Sequence, residues 1–135
     1  MRNVLVIEDE PNHILLITVI LQIDNYHIIP ARTATEAIDL AHQHNPKLIL
    51  CDLVIPDMDI WAIIRCFREI PTTRTTPILL MSGFVHHDIH ERAVQAGCDG
   101  FISKPFSADK LRKEVNQLVG VSRLSDQNNS HIIYP

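Results

Sequence analysis

Glycine is scarce in this chain, with only Gly83, Gly97, Gly100 and Gly120 among 135 residues. They are too few and too scattered to build a phosphate-cradling P-loop or a G-x-G-x-x-G dinucleotide turn, which excludes nucleotide-binding enzymes of those two kinds. Cysteine is equally sparse. Cys51, Cys66 and Cys98 are odd in number and widely spaced, so they suggest neither a disulfide framework nor a zinc-ligand pattern, and they read as buried free thiols. Positive charge is in the minority, with 12 Lys plus Arg against 16 Asp plus Glu and a net charge of −4. Such a balance supplies no net attraction for a polyanion. Long apolar runs are missing as well. The stretch Ile14 to Leu21, ILLITVIL, falls far short of the roughly 18–20 residues needed to cross a bilayer. The opening residues lack the longer apolar core and cleavage site of a secretory signal, so the expected location is cytoplasmic, with no membrane partner.

What is present is ordinary globular material: 46% hydrophobic and 21% charged residues, in a length that suits one domain. Short β-branched runs alternate with helical patterns five times, the signature of a parallel sheet covered by helices. Strands are predicted over 3–8, 27–31, 47–52, 77–82 and 100–103, and helices over 11–24, 34–44, 60–70, 87–96 and 107–119. Thr33 followed by Glu36 forms a capping box, Asn45 and Pro46 end the helix it opens, and Ser107 and Gly97 suit an N-cap and a C-terminus. Pro30 cannot donate a ladder hydrogen bond, so the second strand belongs at an edge. The expected fold is therefore α/β, a flavodoxin-like (βα)5 doubly wound parallel sheet of strand order 2-1-3-4-5, with residues 1–120 as the folded unit. Residues 121–135 read as a C-terminal tail, either folded back through Ile132, Ile133 and Tyr134 or disordered.

That strand order brings Glu8 and Asp9, which finish the first strand, beside Asp52, which finishes the third, at the topological switch point where ligands bind. Three crowded carboxylates repel unless a cation neutralises them, and oxygen donors suit Mg²⁺. Ser82 and Lys104 end the fourth and fifth strands and approach the same rim. A carboxylate nucleophile flanked by Mg²⁺ and a lysine suits phosphoryl transfer, giving an aspartyl phosphate.

The segments IEDE, DLVIPDMD, MSG and FISKPF resemble the receiver domain of bacterial two-component response regulators, the CheY-like fold, over about residues 3–119. The resemblance implies that Asp52 is phosphorylated by a sensor histidine kinase or histidine phosphotransfer protein. It implies that Asp9 binds Mg²⁺ directly, that Glu8 acts mostly through water, and that Asp52 and the Val54 carbonyl complete the metal set. Lys104 would pair with a phosphoryl oxygen, the bond to Pro105 would be cis, and Ser82 and Phe101 would form the switch that alters the surface for an unidentified downstream protein. The kinase would dock beside the first helix, whose apolar run is wider than one buried stripe. The resemblance also allows a homodimer through the fourth and fifth helices.

Three departures from the family pattern, at four positions, stand out. Ile60 replaces a usual Gly after Asp59, Val54 and Phe84 are apolar where relatives place polar groups that help an attacking water, and Phe101 replaces a frequent tyrosine. Residues 121–135 are too few for a DNA-binding module, so the expectation is a stand-alone receiver that does not bind DNA directly. It would not be an enzyme, beyond supporting its own phosphorylation and dephosphorylation. One rival reading is a phosphorylation-independent interaction module. Another is a phosphohydrolase of the haloacid-dehalogenase type, opposed by Val54 where that chemistry needs a second acid. Singly, each of these acids, Lys104 and Ser82 reads as a cap, turn or surface residue; the set does not. His86, His87 and His90 read as a solvated helix surface, and Lys110, Arg112 and Lys113 as a solvated face of the last helix.

Overall fold

A computed structural model describes residues 2–56, 58–83 and 87–120. Phe84 and the tail 121–135 lie outside the described residues, as do Asp57, Val85 and His86. The apolar β-branched runs form five parallel strands, β1 (Arg2–Ile7), β2 (Tyr26–Ala31), β3 (Leu48–Asp52), β4 (Ile78–Ser82) and β5 (Gly100–Ser103), in the order β2-β1-β3-β4-β5. β3 and β4 are buried at every position, as central strands covered on both faces must be. β2 lies at the edge, with Pro30 opposite Val6.

The intervening segments form α1 (Pro11–Gln22), α2 (Ala34–His44), α3 (Ile60–Glu69), α4 (His87–Ala96) and α5 (Ala108–Gly120). Thr33 Oγ1 accepts the Glu36 N–H at 3.1 Å, while the Glu36 carboxylate reaches back to the Arg32 N–H at 2.6 Å rather than to that of Thr33. Asn45 takes the left-handed conformation, φ 45°, and closes α2. Ser107 caps α5 through the Lys110 N–H. α1 stops two residues earlier than its periodicity predicts, since Asn25 turns the chain at φ 64° and Asp24 swings out to α5. Ile60 opens α3 behind the N-cap Asp59 and is buried, so the position usually held by Gly here carries a core side chain instead of a turn.

Two cores sandwich the sheet. α2, α3 and α4 bury Ala37, Ala41, Ile64, Phe67 and Ala93 on one face, and α1 and α5 bury Ile17, Leu21, Leu111 and Val115 on the other. Of the three free thiols, only Cys51 is fully buried; Cys66 is exposed and Cys98 half-buried, because their helix and loop turn those positions outward.

Long-range polar clips lock the elements. Arg68 on α3 donates to the carbonyls of Thr73, Arg74 and Thr76 and, through Nε and Nη2, to that of Gly97. It also meets Asp99 at 2.8 Å, whose carboxylate accepts the Ile78 N–H that opens β4. Gly97 sits at φ 100° with the Arg68 side chain over it, so a Cβ there would be both strained and crowded. Arg112 on α5 grips Asp24 with two hydrogen bonds of 2.9 and 3.0 Å, which corrects its reading as part of a merely solvated face.

Phe67→Ala, a large-to-small change at a buried position of the α2–α3–α4 core, is expected to lower unfolding stability by about 3–5 kcal/mol in urea titrations. Hydrogen bonds from Arg112 and Asn116 lower the Asp24 pKa from 3.8 to about 2. Its contribution to stability is then present above pH 3.8 and lost as the pH falls through about 2. Asp24→Asn should accordingly melt below wild type near neutral pH, with the gap closing across that acid window in thermal scans.

Candidate functional site

The strand register sets the site. Ile7 is level with Cys51, Asp52 with Met81, and Ser82 with Ser103, so the residues at or just beyond these ends, Glu8, Asp52, Ser82 and Lys104, share one rim. The rim lies at the carboxyl ends of β1 and β3, where the strand order reverses.

Glu8 is 1% exposed and Asp52 7%. One Glu8 oxygen accepts the N–H groups of Asp9 and Glu10 at 3.0 and 3.2 Å, which turns the other into the cleft. Asp52 is held at both oxygens: Oδ1 accepts the Val54 N–H at 3.0 Å, and Oδ2 accepts Lys104 Nζ at 2.7 Å. The same ammonium lies 3.3 Å from Glu8 Oε1. The backbone N–H of Lys104 donates to the Ser82 carbonyl at 2.8 Å, and the Lys104–Pro105 peptide is cis. Ser82 is buried at the end of β4.

These contacts set the local charge. Burial, followed by the like charge of Asp52, raises the Glu8 pKa above its ordinary 4.5. Burial pulls the Lys104 ammonium down, but the hydrogen bond and charge of Asp52, together with Glu8, outweigh it and hold the value above 10.5. The site is an anionic pocket closed by one internal cation.

Asp9 is exposed at the rim and stands outside the tightest group of donors. Among the described residues, the donors that converge to within 4.8 Å of one another belong to Glu8, His13 and Asp52. Sequence reasoning passed over His13, on the first turn of α1, whose Nδ1 lies 3.3 Å from Glu8 Oε1 and 3.5 Å from Lys104 Nζ. The available signal was its place one helical turn into the segment that follows the acids. Carboxylate oxygens gathered around a positive charge form a donor set that fits a hard divalent cation. The Val54 side chain is exposed, turned away from its own N–H contact with Asp52.

Phe101 is half-buried against the α3–α4 core, with the His90 ring tilted over it at a centroid distance of 5.9 Å. On the other side of the rim, a cleft of about 370 Å³ is lined by His13, Leu16, Ile17, Lys104, Pro105 and Phe106. Beside it α1 exposes Leu15 at 62%, Leu16 at 51% and Val19 at 54%, and its C-cap Ile23 is 58% exposed. Among the described residues, no helix is long and apolar enough to cross a membrane.

A (βα)5 sheet of this order, with acids and a lysine meeting at its switch point, is the architecture of a phospho-acceptor signalling module, and residues 4–116 match the response regulator receiver domain family. The chain belongs to that family, and its function is that of a receiver in two-component signalling, a signalling domain rather than a typical enzyme. It is 28% identical over 119 residues to the polar-differentiation response regulator DivK of Brucella ovis, covering 88% of this chain and 97% of the relative. The receiver domain of a signal transduction histidine kinase from Syntrophus aciditrophicus is 30% identical, with a TM-score of 0.80 over 91% of this chain and 94% of that one. The receiver domain of sensor histidine kinase PA1611 from Pseudomonas aeruginosa shares the fold at 23% identity, with a TM-score of 0.80 over 89% of this chain and 98% of that one; its structure holds a magnesium ion in the active-site cleft.

Lys104→Met removes the cation between two buried acids and is expected to cost about 1–3 kcal/mol at neutral pH. The deficit should shrink as the pH falls through the raised Glu8 pKa, above 4.5, where a proton takes over the neutralising role, and denaturant titrations at several pH values measure it.

Proposed function

We propose that residues 1–120 form a receiver unit that takes a phosphoryl group on Asp52 from a phosphohistidine of a sensor histidine kinase or histidine phosphotransfer protein. The observation that carries this reading is the buried Asp52 carboxylate held 2.7 Å from Lys104 Nζ, with Glu8 sharing the same ammonium. A carboxylate oxygen attacks phosphorus, the P–N bond breaks, and its electron pair leaves with the donor imidazole. The Val54 N–H and Lys104 fix the attacking group, and Lys104 is placed to follow charge onto a phosphoryl oxygen.

Mg²⁺ would be held by Glu8, Asp9, Asp52 and the Val54 carbonyl. When bound, such an ion supplies charge neutralisation for the transferring oxygens. Buried, convergent carboxylates support this assignment. The receiver would support its own phosphorylation and dephosphorylation, and Ser82 and Phe101 would carry the change at the rim to the surface of α4, β5 and α5 for a downstream protein. A homodimer through α4 and α5 belongs to the same reading. The exposed apolar face of α1, next to the cleft over Lys104, suits docking of the phosphodonor's helices. A phosphohydrolase of the haloacid-dehalogenase type is disfavoured by Val54, which offers no acid where that chemistry needs one.

Incubation with acetyl phosphate should add one phosphate to the intact mass in the presence of Mg²⁺ and none after chelation. Asp52→Asn should abolish the adduct; an adduct that survives the substitution defeats the assignment. Because Val54 and Phe84 are apolar, the phosphoryl group should be long-lived, and a half-life of only seconds by the same mass readout would contradict this. Leu15→Glu together with Val19→Glu should slow phosphotransfer from a histidine donor while leaving acetyl-phosphate labelling intact.

A further inference from the structure

The exposed apolar side chains of α1 form one continuous row. Leu16, Val19 and the C-cap Ile23 follow one another at i, i+3 and i+7, and Leu15 flanks them. Leu16 also lines the cleft of about 370 Å³, with Ile17, Pro105 and Phe106 as its other apolar walls and His13 and Lys104 as its polar members. From Pro11 to Gln22 the helix carries no Asp, Glu, Lys or Arg, so nothing charged interrupts the row.

The chain leaves α5 beside the start of this row. Asn116 donates to Asp24, the neighbour of Ile23, at 3.0 Å, and Gly120 lies one helical turn beyond Asn116, about 6 Å along the axis. Ile132 follows Gly120 by twelve residues, which reach up to roughly 40 Å when extended. The row from Ile23 to Leu16 spans only about 10 Å along the helix. From Gln127 to Pro135 the segment QNNSHIIYP also has no Asp, Glu, Lys or Arg, and its apolar residues Ile132, Ile133 and Tyr134 are consecutive. Another apolar cleft, between α2 and α3, lies on the opposite face of the sheet from α5, so the segment would have to pass around a sheet edge to reach it.

We propose that residues 131–135 fold back onto α1 of the same molecule, Ile132 and Ile133 covering Leu15 and Val19 and the Tyr134 ring entering the cleft beside Leu16. An apolar-walled cleft with polar members suits a tyrosine, which buries its ring and keeps a partner for its hydroxyl. Tethering favours this occupant over a free one, because a short linker holds the segment at an effective concentration in the millimolar range. The docking stands on the surface and the tether alone. Its regulatory consequence rests on the proposed reception of a phosphodonor at α1, since a seated segment covers the same row and competes with that partner.

Methyl NMR spectra of the full chain, with and without the double substitution Ile132→Asp and Ile133→Asp, test the proposal. These substitutions leave both described cores untouched. The Leu15, Leu16 and Val19 methyl signals should shift between the two proteins, while those of Val94, comparably exposed on α4, should not. No shift on α1, or equal shifts at Val94, overturns the proposal. Shifts that depend on protein concentration assign the segment to a second copy and overturn it as well. A synthetic peptide of residues 127–135 should bind the double variant at least about tenfold more tightly than wild type, whose own segment fills the row. Equal binding to the two proteins, or binding that Leu16→Glu in the double variant leaves intact, has the same overturning force. None of these readouts involves phosphate or a donor protein, so their failure leaves the receiver reading standing, and failure of that reading leaves them standing.

Discussion

Two carboxylates that water scarcely reaches, brought together at the rim of one sheet, repel by roughly 3–4 kcal/mol at the separations found here in an effective dielectric of about 20. Burial adds to that cost, which is why the Glu8 pKa is pushed up. The fold tolerates the pair because Lys104, delivered from the far side by β5, inserts its ammonium between them. On the proposed reading, both the readiness of Asp52 for phosphoryl transfer and the ability of the site to respond follow from this arrangement. Whatever next brings positive charge to the acids competes with Lys104 for the same oxygens, and whatever brings negative charge to Asp52 gives Lys104 a new partner.

The rim is also connected mechanically. Lys104 donates its backbone N–H to Ser82, and Phe101, three residues upstream, packs into the α3–α4 core beneath the His90 ring. The ends of β4 and β5 therefore cannot shift independently. The Arg68 clip works in the opposite direction: by tying α3 to the start of β4 and to the α4–β5 turn, it pins the far ends of these strands. On the proposed reading, strands anchored at one end and charge-coupled at the other would direct a change at the rim toward the surface of α4, β5 and α5.

The architecture was legible because its signals are local. Strand and helix alternation, the Pro30 edge marker, the Thr33 cap and the Asn45 stop each depend on a few neighbouring residues, and the strand order then dictates that Glu8, Asp52 and Lys104 meet. What the sequence hid was pairing over long separation. Arg68 and Asp99 are 31 residues apart, and Arg112 and Asp24 are 88 apart. No periodicity announces that either arginine is structural. The early end of α1 has the same origin, because Asp24 is drawn to α5 instead of continuing the helix. His13 is hard to read from sequence because its neighbour at the site, Glu8, lies just past the end of a strand, and the bend between that strand and α1 decides whether the ring faces the cleft. His90, expected on a solvated surface, is exposed, but its ring also covers Phe101.

The exposed apolar residues of α1 divide the labour of the site. Leu15, Leu16, Val19 and Ile23 carry no group that reacts, and a fully buried aliphatic side chain of this size contributes about 1.5–3 kcal/mol to association. On the proposed reading Asp52, Glu8 and Lys104 carry the chemistry, but they offer a partner little surface, since Glu8 and Asp52 are buried at the rim. A phosphodonor recognised in this way would be chosen by the shape and apolarity of α1 and processed by charges that are the same whichever donor docks. Specificity would then reside in residues free to vary without disturbing the reaction, and an α1 more apolar than its own core packing requires is the mark such a division would leave.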